Sequence, residues 1–199
     1  MKNDLIREIV DREWRFFQQV QSLGGRASCQ DDKETFEIMR RSQFAVLPEE
    51  FLNLYLIDLQ AAESERRNPV SEKYAYMMRE TDTEYFEKYL KDRLPVCSDA
   101  KREKINSIID IVKVWDTELR KLYPKFASVM RPANTTSRGV SPASYLACEL
   151  ETYSEATVQS YLSYAEDCVK QGRNLQIETI EETAKMYGYE SIKQAESML

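Results

Sequence analysis

Apolar residues recur at three- and four-residue spacing along almost the whole of this chain, and only five glycines and six prolines punctuate its 199 residues. That spacing gathers side chains on one face of an α-helix, whereas a half-buried strand alternates every second residue. No convincing strand pattern occurs, so the chain reads as all-α. A hydrophobic content of 42% supplies one continuous core. The expectation is a single helical domain over residues 1–199, a compact bundle of about eight to ten helices.

Turn and cap residues divide the pattern. The first helix is expected over about Asn3–Ser22, with Ile6, Ile9, Val10, Phe16, Phe17 and Val20 inward and Gly24 as its stop. A second begins at Asp31 or Asp32, whose carboxylates cap free amides, and carries Phe36, Met39 and Phe44 toward Leu47. Pro48 opens a third, bearing Phe51, Leu52, Tyr55, Leu56 and Leu59. Asn68-Pro69 reads as a break, with Ser71 or Thr81 capping the pieces that Pro95 ends. Ser98 starts a long helix whose stripe runs from Ile105 through Ile108, Val112, Trp115 and Leu119 to Leu122. From 124 to 141 the pattern dissolves into a polar connection carrying Arg131 and Arg138, which reads as a lid or a mobile loop. Ser141-Pro142, Ser154 and Asn174 start further helices, and Ser191-x-x-Gln194 reads as a capping box for the last.

The chain contains no histidine. This removes imidazole triads, zinc hydrolase motifs and the Glu-x-x-His pairs of di-iron bundles. Cys29, Cys97, Cys148 and Cys168 lack CxxC spacing, which argues for reduced thiols and against a disulfide frame or a thiolate zinc site. No metal or cofactor is therefore expected. A net charge of −6, with no basic cluster interleaved with aromatics, argues against nucleic acid as a partner. No run approaches the roughly 20 apolar residues of a spanning helix, and the N-terminus lacks the features of an export signal, so no membrane is expected and a cytoplasmic location is.

Four helix positions place polar groups on apolar faces. Glu13 falls in the middle of the first stripe, Arg40 and Gln43 lie one turn from Phe36, Met39, Phe44 and Leu47, and Asp58 lies one turn from Leu54, Tyr55 and Ala62. A buried charge needs a partner or a ligand. Either these groups satisfy one another, with Glu13 pairing Arg40 and Asp58 capping a neighbouring backbone, or they line a pocket. The loop Gly24–Gln30, GGRASCQ, concentrates a guanidinium, a hydroxyl, a thiol and an amide. As structure, Arg26 pairs with a helix carboxylate; as function, Arg26, Ser28 and Gln30 hold an anion and Cys29 is a candidate nucleophile. Glu72, Lys73 and Tyr74 offer an acid, an amine and a phenol at a helix start, and Glu149 and Tyr153 lie one turn apart further on.

GGRASCQDD followed by TFEIMRRSQF, then SEKYAYMM, ELETYS and the terminal YGYESIKQAE resemble the bacterial and archaeal domain of unknown function, family 4125. The resemblance covers nearly the whole chain. It implies one mostly helical domain and brings no activity with it. Within it, Ala147-Cys148 stands where the family motif carries Arg-Gly.

The expectation is a polar pocket between the first four helices, closed by the GGRASCQ loop, that binds a small anionic or zwitterionic metabolite. Arg26 and Arg40 would orient it, with Ser28, Gln30, Gln43, Asp58, Glu149 and Tyr153 as further contacts. Glu13 or Glu72 would act as acid or base if the site reacts, with Cys29, Lys73 and Tyr74 in reserve. The alternative is a non-catalytic regulatory or adaptor protein that presents a helix face to a protein partner. An all-oxygen Mg²⁺ or Mn²⁺ site from Glu13, Asp58, Glu72 and Glu149 is a third reading, without a repeated carboxylate motif to support it.

Overall fold

The computed structural model describes residues 1–21, 25–130, 133 and 140–199. Every described element is helical. In chain order the α-helices are α1 (Lys2–Gln18), α2 (Lys33–Ala45), α3 (Glu49–Ser64), α4 (Pro69–Thr81), the single turn α5 (Thr83–Tyr85), α6 (Asp99–Leu122), α7 (Pro124–Val129), α8 (Pro142–Glu151), α9 (Glu155–Lys170), α10 (Leu175–Met186) and α11 (Ile192–Met198). The result is an all-α, single-domain bundle. Among the described residues no helix is long and apolar enough to cross a membrane.

The helix starts follow from short polar side chains taking up free amides. Asp32 accepts from the Thr35 amide, Ser98 from Lys101, Ser141 from Ser144 and Ser154 from Thr157. Asn68-Pro69 opens α4 instead of merely breaking the chain: Asn68 Oδ1 accepts from the Ser71 amide at 3.0 Å and Pro69 is the first helical residue. Ser191 accepts from Gln194, but the Gln194 side chain returns to the Glu190 amide, so the expected reciprocal box is displaced by one residue.

The first helix stops four residues earlier than its pattern suggests. Gln30, in a 3₁₀ turn over Ser28–Asp31, donates through Nε2 to the carbonyls of Phe17 at 2.8 Å and Val20 at 3.1 Å. Those are carbonyls a longer helix would have used itself. Gly24 lies outside the described residues. The polar stretch from 124 contains one more helix than expected, because Glu196 of α11 accepts from the Lys125 and Phe126 amides at the start of α7. The lid expected over the rest of that stretch, with Arg131 and Arg138, falls outside the described residues.

The main core joins α1, α3, α6, α8 and α9 through Ile9, Leu52, Leu59, Ile108, Leu150 and Val158, all essentially without exposure. Two expected core positions are not there: Met39 is 43% exposed and Leu122 is 54% exposed, each lying beyond the arc its helix buries. A smaller cluster of Leu119, Ile180 and Ile192 seats the C-terminal helices. Packing of α1 on α2, α3 and α4, and of α4 on α8, brings five segments to one point in the interior.

Candidate functional site

That point is ionic. Glu13 of α1, Arg40 of α2, Lys73 of α4 and Glu149 of α8 are all buried, two cations against two anions. Arg40 lies between the carboxylates. Its Nε donates to Glu13 Oε2 at 2.7 Å, Nη2 to Glu13 Oε1 and to Glu149 Oε1 at 2.8 Å, and Nη1 to Gln43 Oε1 at 2.6 Å and Glu149 Oε2 at 3.4 Å. A guanidinium has five N–H groups, and all five are used here. Two phenols complete the carboxylates: Tyr55 donates to Glu13 Oε1 at 2.6 Å and Tyr153 to Glu149 Oε1 at 2.8 Å. Lys73 Nζ donates to Tyr145 Oη at 2.7 Å and to Glu149 Oε2 at 3.2 Å, and lies over the rings of Tyr145 and Tyr74 at 4.4 and 5.5 Å.

Burial alone would discharge these groups, and their neighbours prevent it. Desolvation pushes the Glu149 carboxyl up, but Arg40 and Lys73 outweigh it and hold it far below the ordinary carboxylate range. Desolvation lowers Lys73, yet Glu149 and Tyr145 more than reverse this and raise it above the ordinary ammonium value. Arg40 is raised in the same sense by Glu13 and Glu149. Burial first, then the adjoining carboxylates, pushes the Tyr55 and Tyr153 phenols well up. Burial also takes Tyr74 up to about 12. Lys73 thus holds its proton at neutral pH and offers no amine for a Schiff base, and Glu149 holds none to give.

The structure gathers six of the residues expected at the site: Glu13, Arg40, Gln43, Lys73, Glu149 and Tyr153. Tyr74 borders them, against Lys73, and the other six lie elsewhere. Arg26 is exposed at the end of α1, where it donates to Asp31 Oδ1 at 2.9 Å, Gln18 Oε1 at 2.6 Å and the Gln30 carbonyl at 2.8 Å. Ser28 and Cys29 are exposed in the same turn, and Gln30 is buried as the terminator of α1. Glu72 faces away and accepts a fork from Arg67 at 2.9 and 2.8 Å. Asp58 accepts from the Ser154 amide at 2.8 Å at the start of α9. Tyr74 links the two regions, stacked on Phe17 at 6.5 Å and beside Lys73. The four carboxylates weighed as a cation site therefore serve three different places, and no three metal-ligating side chains converge among the described residues.

Two contributors were not anticipated. Tyr55 reads as one more apolar residue of α3, although a buried phenol needs a partner for its hydroxyl. Tyr145 lies four residues before Glu149, so the same face of α8 presents both, and that spacing is the signal that would have found it.

No curated protein and no solved structure matches the chain. The family model described as protein of unknown function (DUF4125) matches residues 3–197, and the chain belongs to that family.

Proposed function

We propose that the chain is a non-catalytic binding domain in which the ionic cluster is a frame, and that it recognises a small anionic or zwitterionic metabolite at surfaces between helices which the frame holds in place. The observation that carries this reading is the closure of Arg40: every N–H is spent on protein oxygens, and the two cations and two anions cancel. A binding centre for an anion keeps a donor in reserve, and a reaction centre keeps a group whose proton moves near neutral pH. Glu149, Lys73, Tyr55 and Tyr153 are all driven away from that range. The same pairs tie together four helices distant in sequence, as a register device would.

The test is incubation of the protein with an equimolar mixture of small carboxylic acids, amino acids and phosphate monoesters, followed by proton NMR and thermal unfolding. The expected result is a raised unfolding temperature with every component recovered intact. Consumption of a component by the native chain, lost in a charge-balanced Lys73→Met, Glu149→Gln variant that still folds, would overturn the reading.

A protein partner is the second reading. It is favoured by the exposed apolar side chains Leu122, Val129 and Met198 on α6, α7 and α11, where α7 contacts both of the other two.

A further inference from the structure

A groove of about 190 Å³ lies between α4, α6 and α8, apart from the ionic cluster but on two of the helices the cluster fixes. Ile105, Ala147 and Cys148 give it an apolar lining, and Arg79, Arg102 and Asn106 bring donors. Arg79 is held with unusual care for a residue outside the frame. Its Nη2 alone takes both oxygens of Glu151, at 3.0 and 2.9 Å, and its guanidinium lies over the rings of Tyr76 at 5.2 Å and Phe86 at 5.4 Å. Phe86 begins a π-helical turn, Phe86–Leu90, a local geometry that costs hydrogen-bond quality and recurs at functional positions. With the guanidinium so placed, Arg79 Nε is buried and has no hydrogen-bond partner among the described residues. A buried N–H left unpaired is expensive. On the facing helix, Arg102 makes one contact at the limit of hydrogen bonding, Nη2 to the Cys97 carbonyl at 3.5 Å.

We infer that this groove is a binding site for a small monocarboxylate with a short aliphatic body, whose carboxylate accepts from Arg79 Nε and meets the charge of Arg102. The volume corresponds to about six water molecules at liquid density, the size of a short-chain acid or a small amino acid. The apolar lining suits an aliphatic body. Two arginines are offset by Glu80 and Glu151, which also line the groove, so it carries no net charge of its own. A single carboxylate adds one negative charge to a neutral groove, whereas a phosphate dianion adds two and is the less favoured. Arg79 Nη2 is taken by Glu151, so the ligand is left the Nε–H alone, a directed donor that the point charge of a lysine does not reproduce.

The inference rests on the reading of the chain as a binding domain, and the two fail separately. The experiment is NMR titration of the full chain, ¹⁵N-labelled, with isobutyrate, valine and inorganic phosphate as probes, watching the Arg79 Nε–H signal. The expected result is a saturable shift of that signal with isobutyrate or valine, and a weaker response to phosphate. Arg79→Lys should lower the affinity about tenfold or more, which is about 1.4 kcal/mol. Asn106→Phe replaces an exposed side chain at the groove and should abolish the response without depending on the Arg79 pair, so the test survives if Arg79→Lys fails to fold. No shift with either acid at about 20 mM, a response unchanged by Asn106→Phe, or tighter binding of phosphate than of both acids would each overturn the carboxylate site. None of these outcomes bears on whether the ionic cluster reacts, which the mixture experiment decides.

Discussion

Arg40 and Glu13 meet fork to fork across 27 residues of chain, Nε on Oε2 at 2.7 Å and Nη2 on Oε1, inside the bundle and shielded from water. The geometry fixes the rotation of α2 on α1, because a bidentate pair tolerates little slippage. Removing the guanidinium strands two carboxylates, Glu13 and Glu149, with only the Lys73 ammonium on Glu149 left to offset them. Arg40→Met should therefore cost about 3–5 kcal/mol, and Arg40→Lys should recover only part of it. Urea midpoints with an unchanged slope are the measurement; a loss near zero would mean that the pair adds nothing to the fold.

The shifts at Glu149 and Lys73 set a pH window. Glu149 is held below its ordinary value, so its contribution is complete above about pH 4.3 and fades as pH falls toward its folded value. Lys73 is raised, so its contribution is complete below about pH 10.4 and fades only as pH rises through its higher folded value. Between these limits neither group makes stability depend on pH. The acid limb should belong largely to buried carboxylates of this kind: Glu149→Gln starts less stable than the native chain and should lose less between about pH 5 and pH 2. Parallel pH profiles for the two proteins would contradict the assignment.

How far the sequence carried this picture depends on the kind of signal. The α6 stripe and the caps at Asp32, Ser98, Ser141 and Ser154 were legible because each is local, a period or a single side chain reaching its own helix start. Glu13 and Arg40 were legible as interruptions of apolar stripes, and their mutual pairing was one of two readings. The share of Arg40 taken by Glu149, 109 residues away, was not, since an inward polar residue announces a need for a partner without naming one. Tyr55 and Tyr145 were hidden because the ring satisfies an apolar pattern while the hydroxyl does separate work. Asp58 followed its structural reading, capping a neighbouring backbone. The functional reading of the GGRASCQ loop rests on its density of polar groups alone, and much of that chemistry closes on the end of α1.

Arg26 and Gln30 should accordingly exchange the roles their side chains suggest. Arg26 pairs with Asp31 where the two side chains are 47% and 68% exposed, so Arg26→Ala should cost about 0–1 kcal/mol. Gln30 is buried and serves the Phe17 and Val20 carbonyls and the Ala27 amide at once. Gln30→Ala should cost more, about 1–3 kcal/mol, and fray the end of α1. Amide hydrogen exchange over residues 16–20 separates the two variants: equal protection in both would show that Gln30 does not terminate the helix.

The thiols give a last, independent check on the packing. Cys29 is exposed in the 3₁₀ turn, while Cys97, Cys148 and Cys168 are buried. Burial raises all three interior thiols, Cys148 up to about 12. A thiol reagent needs both access and thiolate, and the interior cysteines are short of each. The native chain should thus release one fast equivalent from an aromatic disulfide reagent at neutral pH, and three more only in denaturant. Cys29→Ser should remove the fast phase and leave the slow one, with no change in the unfolding midpoint, since the side chain lies outside every apolar cluster. Rapid modification of Cys148 in the native chain would mean that α8 leaves its place against α4, and that the groove beside Arg79 opens more widely than the packing allows.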